Sequence, residues 1–235
     1  MKTVIFEKGF NYSQDGPGNR LVYHMSGCNM YCPWCSNPEG MSAKGKEYTS
    51  EDIKKEILSA MPMFFDNGGV TFTGGECTLQ AEAIRDIIDS LPDISFCIES
   101  NADTDNFLSV AEKCDTVIVD YKSPDKEKLH TVTGGNLETI ENNIRNILKS
   151  KRIHIRIPFI HGFNDDEASI NGFVKFFSSL EGDFDVEILP YHEYGKEKWQ
   201  KQNKQYTVTD GFVKKETINA FIEKLRSNSI RVVKT

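Results

Sequence analysis

The chain has 235 residues, which is enough for one sizeable domain or two small ones. Its 35 acidic and 28 basic residues give a formal net charge of −7, which argues against a general nucleic-acid binder. The composition excludes a collagen-like or disordered chain, and no apolar run is long enough to span a membrane. The first seven residues lack the features of a secretory signal, so we expect a cytoplasmic protein with no nucleic-acid or membrane partner.

Strand-like and helix-like segments alternate along the chain without a linker, which predicts a single domain over residues 1–235. Strands are expected at 21–25, 70–73, 94–98, 116–120, 152–160, 186–189 and 230–233. Helices are expected at 49–63, 84–91, 137–148 and 218–225 and from 164 onward, and two of them open with capping residues, at Thr49 and Asn164. This alternation indicates a parallel α/β fold, either doubly wound or a barrel. About six strand–helix units fit, whereas a full barrel usually takes ~250 residues, so we expect a partial (β/α)6 TIM-like barrel.

Three of the six cysteines lie within eight residues, in the loop after the first predicted strand: Cys28, Cys32 and Cys35. Three thiolates at this C-x3-C-x2-C spacing can hold three irons of one 4Fe–4S cluster and leave the fourth iron open to a small molecule. A structural zinc site with three Cys and one His is the alternative, but no His follows Cys35 at a zinc-like spacing. The other three cysteines are solitary, which predicts a reducing compartment and no second cluster: Cys77, Cys97 and Cys114.

Several segments resemble a known family. The cysteine spacing, with Trp34 before the last Cys, is similar to that of the radical S-adenosylmethionine (SAM) superfamily. Three further segments resemble glycyl-radical-enzyme activating enzymes, in particular those of pyruvate formate-lyase: residues 14–20, 69–76 and 189–199. The resemblance covers nearly the whole chain in the same order.

The resemblance implies that SAM binds the open iron and that the reduced cluster cleaves it. The resulting 5′-deoxyadenosyl radical would abstract a hydrogen atom from a glycine Cα of a partner glycyl radical enzyme. A ferredoxin-like insertion is missing between Cys35 and Gly74, so we expect flavodoxin or ferredoxin to supply electrons, in an anaerobic cytoplasm. Two other functions stay open: a radical SAM enzyme acting on a small molecule or peptide, and a cluster-bearing sensor without turnover.

The resemblance also implies cofactor-binding roles for residues outside the cysteine motif. The segment 74–76 would contact the SAM amino group, Lys122 its carboxylate and His192 its adenine, and Arg156 would lie close by. The full set of implied cofactor-binding residues is Trp34, Asn37, Gly74, Gly75, Glu76, Glu99, Ser100, Asp120, Lys122, Arg156 and His192.

Strand parity supports part of this set. In the strand at 116–120, Val117 and Val119 share one face, so Asp120 and Lys122 are expected to point inward near its carboxyl end. Asp120 suits either the SAM ribose or a small monovalent cation, as do the Glu99 carboxylate and Ser100 hydroxyl.

Two positions depart from the family pattern. Glu99-Ser100-Asn101 stands where the family typically has Asp-Thr-Asn, and Cys77 stands where it usually has Pro. We expect Cys77 to have a packing role. His154 matches no family residue, and we expect it to be structural.

Two segments are candidate protein-binding regions. The glycines of the turn Asp15, Gly16, Pro17 and Gly18 leave room for a second chain, so this turn is expected to contact the glycine-bearing loop of the partner. The lysines between Lys196 and Lys204 form either a docking surface for an acidic partner or a solvated loop.

Overall fold

The computed structural model describes residues 1–234, and its strands form one sheet. The strands are β1 (Lys2–Tyr12), β2 (Asn19–Met25), β3 (Lys46–Thr49), β4 (Gly69–Gly74), β5 (Phe96–Ser100), β6 (Thr116–Asp120), β7 (Ile153–Phe159), β8 (Phe184–Pro190) and β9 (Val232–Val233). The sheet order is β3-β1-β2-β4-β5-β6-β7-β8-β9. Pairing is parallel from β2 to β9, and β1 pairs antiparallel with both β2 and β3.

The helices are α1 (Ser50–Ala60), α2 (Ala81–Ser90), α3 (Phe107–Ala111), α4 (Lys126–Thr133), α5 (Leu137–Ile147), α6 (Glu167–Ser178), α7 (Lys196–Lys201) and α8 (Lys215–Ser227). The strands β2, β4, β5, β6, β7 and β8 are each followed by at least one helix, which confirms the partial (β/α)6 barrel. Among residues 1–234, no helix has the length and apolar character needed to cross a membrane.

The sequence predicts the long amphipathic helices well and the short or exposed elements poorly. Thr49 forms the expected capping box with Asp52 at the start of α1. The helix expected from Asn164 instead begins at Glu167, with Asp166 as its cap. Strand β1 was missed because only Thr3 and Ile5 are buried along its 11 residues, so its apolar alternation is weak.

The two faces of the barrel sheet have different chemistry. Outward-facing side chains such as Val117 and Val119 belong to the apolar core shared with the helices. In that layer the ring of Tyr121 stacks on Phe176 at 4.7 Å between centroids. The inward face carries polar side chains on successive strands, and this polar interior leads up to the carboxyl ends of the strands.

Candidate active site

An open cavity of about 220 Å³ lies at the carboxyl ends of β4, β5, β6, β7 and β8, beside the loop that follows β2. Most of the implied site residues line it: Cys28, Cys32, Trp34, Cys35, Asn37, Gly74, Gly75, Glu99, Ser100, Asp120, Lys122 and His192. Its apolar wall includes Met30, Ile160, Leu189 and Pro190. Ligand sites of parallel barrels lie at this end of the strands, so the cavity is the candidate active site.

The cysteine loop is fixed by bonds to several neighbouring elements. The backbone N–H of Tyr31 donates to the carbonyl of Thr133 at 3.0 Å, and the side chain of Asn29 donates to the carbonyl of Asp103 at 2.7 Å. The ring of Trp34 packs against Phe163, with 4.5 Å between centroids. These contacts fix the position of the cysteine loop at the cavity wall.

The thiol environment suits metal-bound thiolates. Burial raises the pKa of Cys28 and Cys32 to about 12 and that of Cys35 to about 11, and Lys122 opposes the rise at all three. Backbone N–H groups point at Cys28 Sγ and Cys35 Sγ, each at 3.4 Å. A cationic neighbour and N–H donors stabilise the negative charge that sulfur carries when it binds iron.

Three thiols share the wall of this cavity, and three thiolates are the donor set that a 4Fe–4S cluster with one open iron uses. The thiolates of a 4Fe–4S cluster bind different irons and do not have to converge on one point. The three cavity cysteines therefore fit the cluster, with no protein ligand assigned to a fourth iron.

Helix α7 buttresses the cysteine loop. The indole Nε1 of Trp199 donates to the carbonyl of Cys35 at 2.9 Å, and Lys198 Nζ donates to Asn37 Oδ1 at 2.9 Å. A Cβ at Gly195 would lie 2.3 Å from the same Cys35 carbonyl oxygen, so only glycine permits this approach. Part of the lysine-rich segment therefore packs on the cysteine loop, a role that no local sequence pattern indicates.

The two glycines after β4 are required by packing within the protein. Gly74 has φ of +107°, and a Cβ there would lie 2.5 Å from the Met25 backbone nitrogen. A Cβ at Gly75 would lie 2.1 Å from the carbonyl oxygen of Gly27. The family resemblance implies that the segment 74–76 contacts the SAM amino group. Both line the cavity, but their missing side chains make room for the strand and loop beside them.

Glu76 is fully buried and does not line the cavity. Its Oε1 accepts from Thr78 Oγ1 at 2.6 Å and from Ser100 Oγ at 2.8 Å, and its Oε2 accepts from the backbone N–H of Asn101 at 2.8 Å. Burial raises its pKa although these donors oppose the shift. Its carboxyl group therefore ties the end of β4 to the end of β5 and positions two residues of the cavity wall, Ser100 and Asn101.

Asp120 and Lys122 reach the cavity as strand parity predicts. Lys122 Nζ lies 3.1 Å from Asp120 Oδ2, and the lysine side chain is 9% exposed. Burial alone would lower the pKa of Lys122, but Asp120 and the Cys32 and Cys28 sulfurs raise it, so the ammonium stays charged. The carbonyl of Lys122 accepts from Asn164 Nδ2 at 2.8 Å, which fixes the strand end. His192 also lines the cavity, and burial lowers its pKa, which favours the neutral imidazole.

Glu99 and Arg156 form an ion pair beneath the cavity. Arg156 Nη1 lies 2.6 Å from Glu99 Oε1, and Thr73 Oγ1 donates to Glu99 Oε2 at 2.8 Å. Burial and Asp15 raise the pKa of the Glu99 carboxyl, and Arg156 opposes this shift. Glu99 lines the cavity, whereas Arg156 does not.

The turn at residues 15–18 does not line the cavity, and it packs against β4 and β5. The Asp15 carbonyl accepts from Thr71 Oγ1 at 2.6 Å, and a Cβ at Gly16 would lie 3.1 Å from Cys97 Sγ. Gly18 has φ of +69°, and a Cβ there would lie 2.3 Å from a backbone oxygen of the same chain. Packing within the protein thus explains both glycines, and the predicted contact with a partner loop stays a prediction.

The three solitary cysteines are buried and do not line the cavity: Cys77, Cys97 and Cys114. Cys77 Sγ lies 3.5 Å from the carbonyl oxygen of Glu99, a weak contact inside the core. This placement agrees with a packing role.

Comparison of the sequence with models of known protein families identifies a superfamily. The family model for the radical SAM superfamily matches residues 22–171, which include the cysteine loop and the strands β4 to β7. This chain belongs to the radical SAM superfamily, and it is an enzyme of that superfamily.

The chain is more specifically similar to activating enzymes. It is 33% identical over 215 residues to pyruvate formate-lyase 1-activating enzyme of Escherichia coli (strain K12), covering 87% of each chain. It is 24% identical over 280 residues to 4-hydroxyphenylacetate decarboxylase activating enzyme of Clostridioides difficile (strain 630), covering 89% of this chain and 88% of that one. The structure of a radical SAM methyltransferase from Sphaerobacter thermophilus superposes with a TM-score of 0.69 at 16% identity, over 96% of this chain and 72% of that one. That likeness supports the fold alone.

Proposed function

We propose that this chain is an activating enzyme that installs a glycyl radical in a partner enzyme similar to pyruvate formate-lyase. Three thiols share one cavity with Lys122, Asp120 and His192, and this arrangement carries the proposal. The 33% identity to a pyruvate formate-lyase 1-activating enzyme supports the choice of partner.

Cys28, Cys32 and Cys35 would hold one 4Fe–4S cluster, with SAM in the cavity beside it. Such a cluster would supply the one electron needed for reductive cleavage of SAM, and transfer of a hydrogen atom from a glycine Cα of the partner would leave methionine and 5′-deoxyadenosine as products. A separate flavodoxin or ferredoxin would supply the electron, in an anaerobic cytoplasm. The protein orients these reactants and excludes water.

Different residues of the cavity wall would bind different parts of SAM. Lys122 is placed to pair with the SAM carboxylate, because its buried ammonium stays charged at the cavity wall. Asp120 offers carboxylate oxygen to the ribose hydroxyls, and Ser100 forms part of the wall beside it. His192, held neutral by burial, offers a flat ring to the adenine. The side chains of Trp34 and Asn37 and the backbone of Gly74 and Gly75 complete the wall.

The test is SAM cleavage by anaerobically reconstituted protein with dithionite, followed as 5′-deoxyadenosine by chromatography. We expect cleavage by the wild type and by Cys114→Ala, whose thiol is buried away from the cavity, and loss of cleavage in Cys32→Ala. A cluster-loaded protein that never cleaves SAM would favour the sensor. Cleavage that no glycyl radical enzyme stimulates would favour a small-molecule or peptide substrate.

A further inference from the structure

The oxygens expected to bind a monovalent cation already have partners within the protein. Glu99 Oε1 accepts from Arg156 and Oε2 accepts from Thr73. Ser100 Oγ donates to Glu76 and accepts from the backbone N–H of Ala102 at 2.9 Å. Hard cations require several oxygens free to converge on them. Glu99 and Ser100 therefore do not fit as ligands of a cation, and the third expected ligand, Asp120, is paired with Lys122 through its Oδ2.

The guanidinium of Arg156 stands beside Glu99 instead. Its Nη1 donates to Glu99, its Nε donates to Glu187 Oε2 at 3.1 Å, and its Nη2 donates to the carbonyl of Gln14 at 2.7 Å. The arginine side chain is 10% exposed. Because guanidinium stays charged in proteins, this position carries a permanent positive charge.

The partners of Arg156 are themselves fixed. Glu187 Oε2 also lies 3.1 Å from His154 Nε2, and His154 Nδ1 contacts the buried Asp185. These groups of β7 and β8 hold the guanidinium through its bond to Glu187. His154, expected to be structural, is thus a positioning residue for Arg156.

The charged groups at the base of the cavity are paired within the protein. Asp120 lies beside Lys122, and Glu99 and Glu187 both contact Arg156. A further cation at Glu99 would have to displace Arg156 or lie against its positive charge, and like charges at short range are unfavourable.

We propose that Arg156 is the built-in counter-ion of Glu99, so that SAM binding by this chain does not depend on which monovalent cation is present. This inference rests on the SAM-binding part of the proposed function. In this role Arg156, outside the cavity lining, pairs with Glu99 and does not itself contact SAM.

The first test uses the wild-type, cluster-loaded protein. SAM is titrated calorimetrically under anaerobic conditions in potassium, sodium or choline chloride at equal ionic strength. We expect the three dissociation constants to agree within about twofold. Binding that is about fivefold or more tighter in one alkali salt than in choline would overturn the inference. Absence of binding in every salt would refute the proposed function, and this inference with it.

The second test removes the guanidinium and does not require the cluster. In Arg156→Gln, Glu99 loses its counter-ion, so we expect the cluster-free variant to melt at a higher temperature in potassium or sodium chloride than in choline chloride. The wild type and Arg152→Gln, whose side chain is 56% exposed, should show no such difference. The double variant Glu99→Gln/Arg156→Gln should lose most of the response. An Arg156→Gln protein that responds to no alkali cation would contradict the counter-ion role, and far-ultraviolet circular dichroism verifies that each variant is folded.

Discussion

Replacing Gly75 by alanine tests whether the glycine pair is required by the protein's own packing. A Cβ there would lie 2.1 Å from the Gly27 carbonyl oxygen and 2.5 Å from that of Gly40, whereas ordinary contacts begin near 3.4 Å. The Gly27 oxygen must therefore move by more than 1 Å. That oxygen accepts the N–H of Glu76 at 2.8 Å, so the displacement also breaks a backbone hydrogen bond at the start of the cysteine loop.

The expected cost combines two effects. Overpacking costs about 1–3 kcal/mol and a lost buried hydrogen bond costs about 1 kcal/mol, so the variant should lose about 2–4 kcal/mol of unfolding free energy. For a domain of this size the melting temperature should fall by about 5–15 °C. Because Gly27 directly precedes Cys28, we also expect the variant to retain less iron than the wild type after reconstitution.

The assay is thermal unfolding of the cluster-free protein, followed by iron and sulfide analysis after reconstitution. Gly9→Ala is the matched control, because nothing lies within 4 Å of its Cβ position. This control should be neutral or slightly stabilising, since alanine has less backbone entropy to lose than glycine. A Gly75→Ala protein that melts with the wild type and holds a full complement of iron would refute the packing argument.

Three further substitutions test other parts of the account. Trp199→Phe removes the hydrogen bond to the Cys35 carbonyl and should destabilise the protein by about 1 kcal/mol. The reconstituted variant should also lose iron to a chelator faster than the wild type. An unchanged rate of iron loss would contradict the supporting role of α7. Lys122→Met should weaken SAM binding about 10- to 100-fold while the cluster is retained. Lys128→Met is the control and should bind SAM as the wild type does. Calorimetric titration measures both affinities, and equal affinities would contradict the role of Lys122. Burial alone would raise the pKa of Asp166, but Lys128 and Ser169 lower it to about 2. The ionised Asp166 therefore stabilises the folded protein fully above the unfolded pKa of 3.8, and this contribution is lost as the pH falls towards 2. Asp166→Ala should therefore cost about 1 kcal/mol at pH 7 and progressively less below pH 3.8, and a constant difference in unfolding free energy across that range would contradict this assignment.

The sequence predicts the barrel because its buried strands and amphipathic helices have strong, regular periodicity. Strand parity places Asp120 and Lys122 correctly, since side chains alternate along a strand and the carboxyl ends of parallel strands share one edge. The exposed strand β1 and the six-residue helix α7 lack such periodicity, so nothing local indicates them.

Side-chain pairing across strands is the part that local patterns do not show. Glu76 accepts hydrogen bonds from Ser100 and Asn101 on a neighbouring strand end, and Arg156 pairs with Glu99 two strands away. Glu76 and Arg156 are both expected to bind the cofactor because they are ionisable residues within family motifs, yet neither lines the cavity. Only the register of the folded sheet reveals that they support the wall from behind.

The central claim is that hydrogen passes from a glycine Cα of a partner protein to 5′-deoxyadenosine. The most direct measurement uses a purified glycyl radical enzyme similar to pyruvate formate-lyase, labelled with deuterium at its glycine Cα positions. It is incubated anaerobically with this protein, its cluster, SAM and reductant. We expect a glycyl radical signal by electron paramagnetic resonance, together with 5′-deoxyadenosine carrying one deuterium by mass spectrometry. Unlabelled 5′-deoxyadenosine without a glycyl signal, from a protein that binds both the cluster and SAM, would contradict the claim.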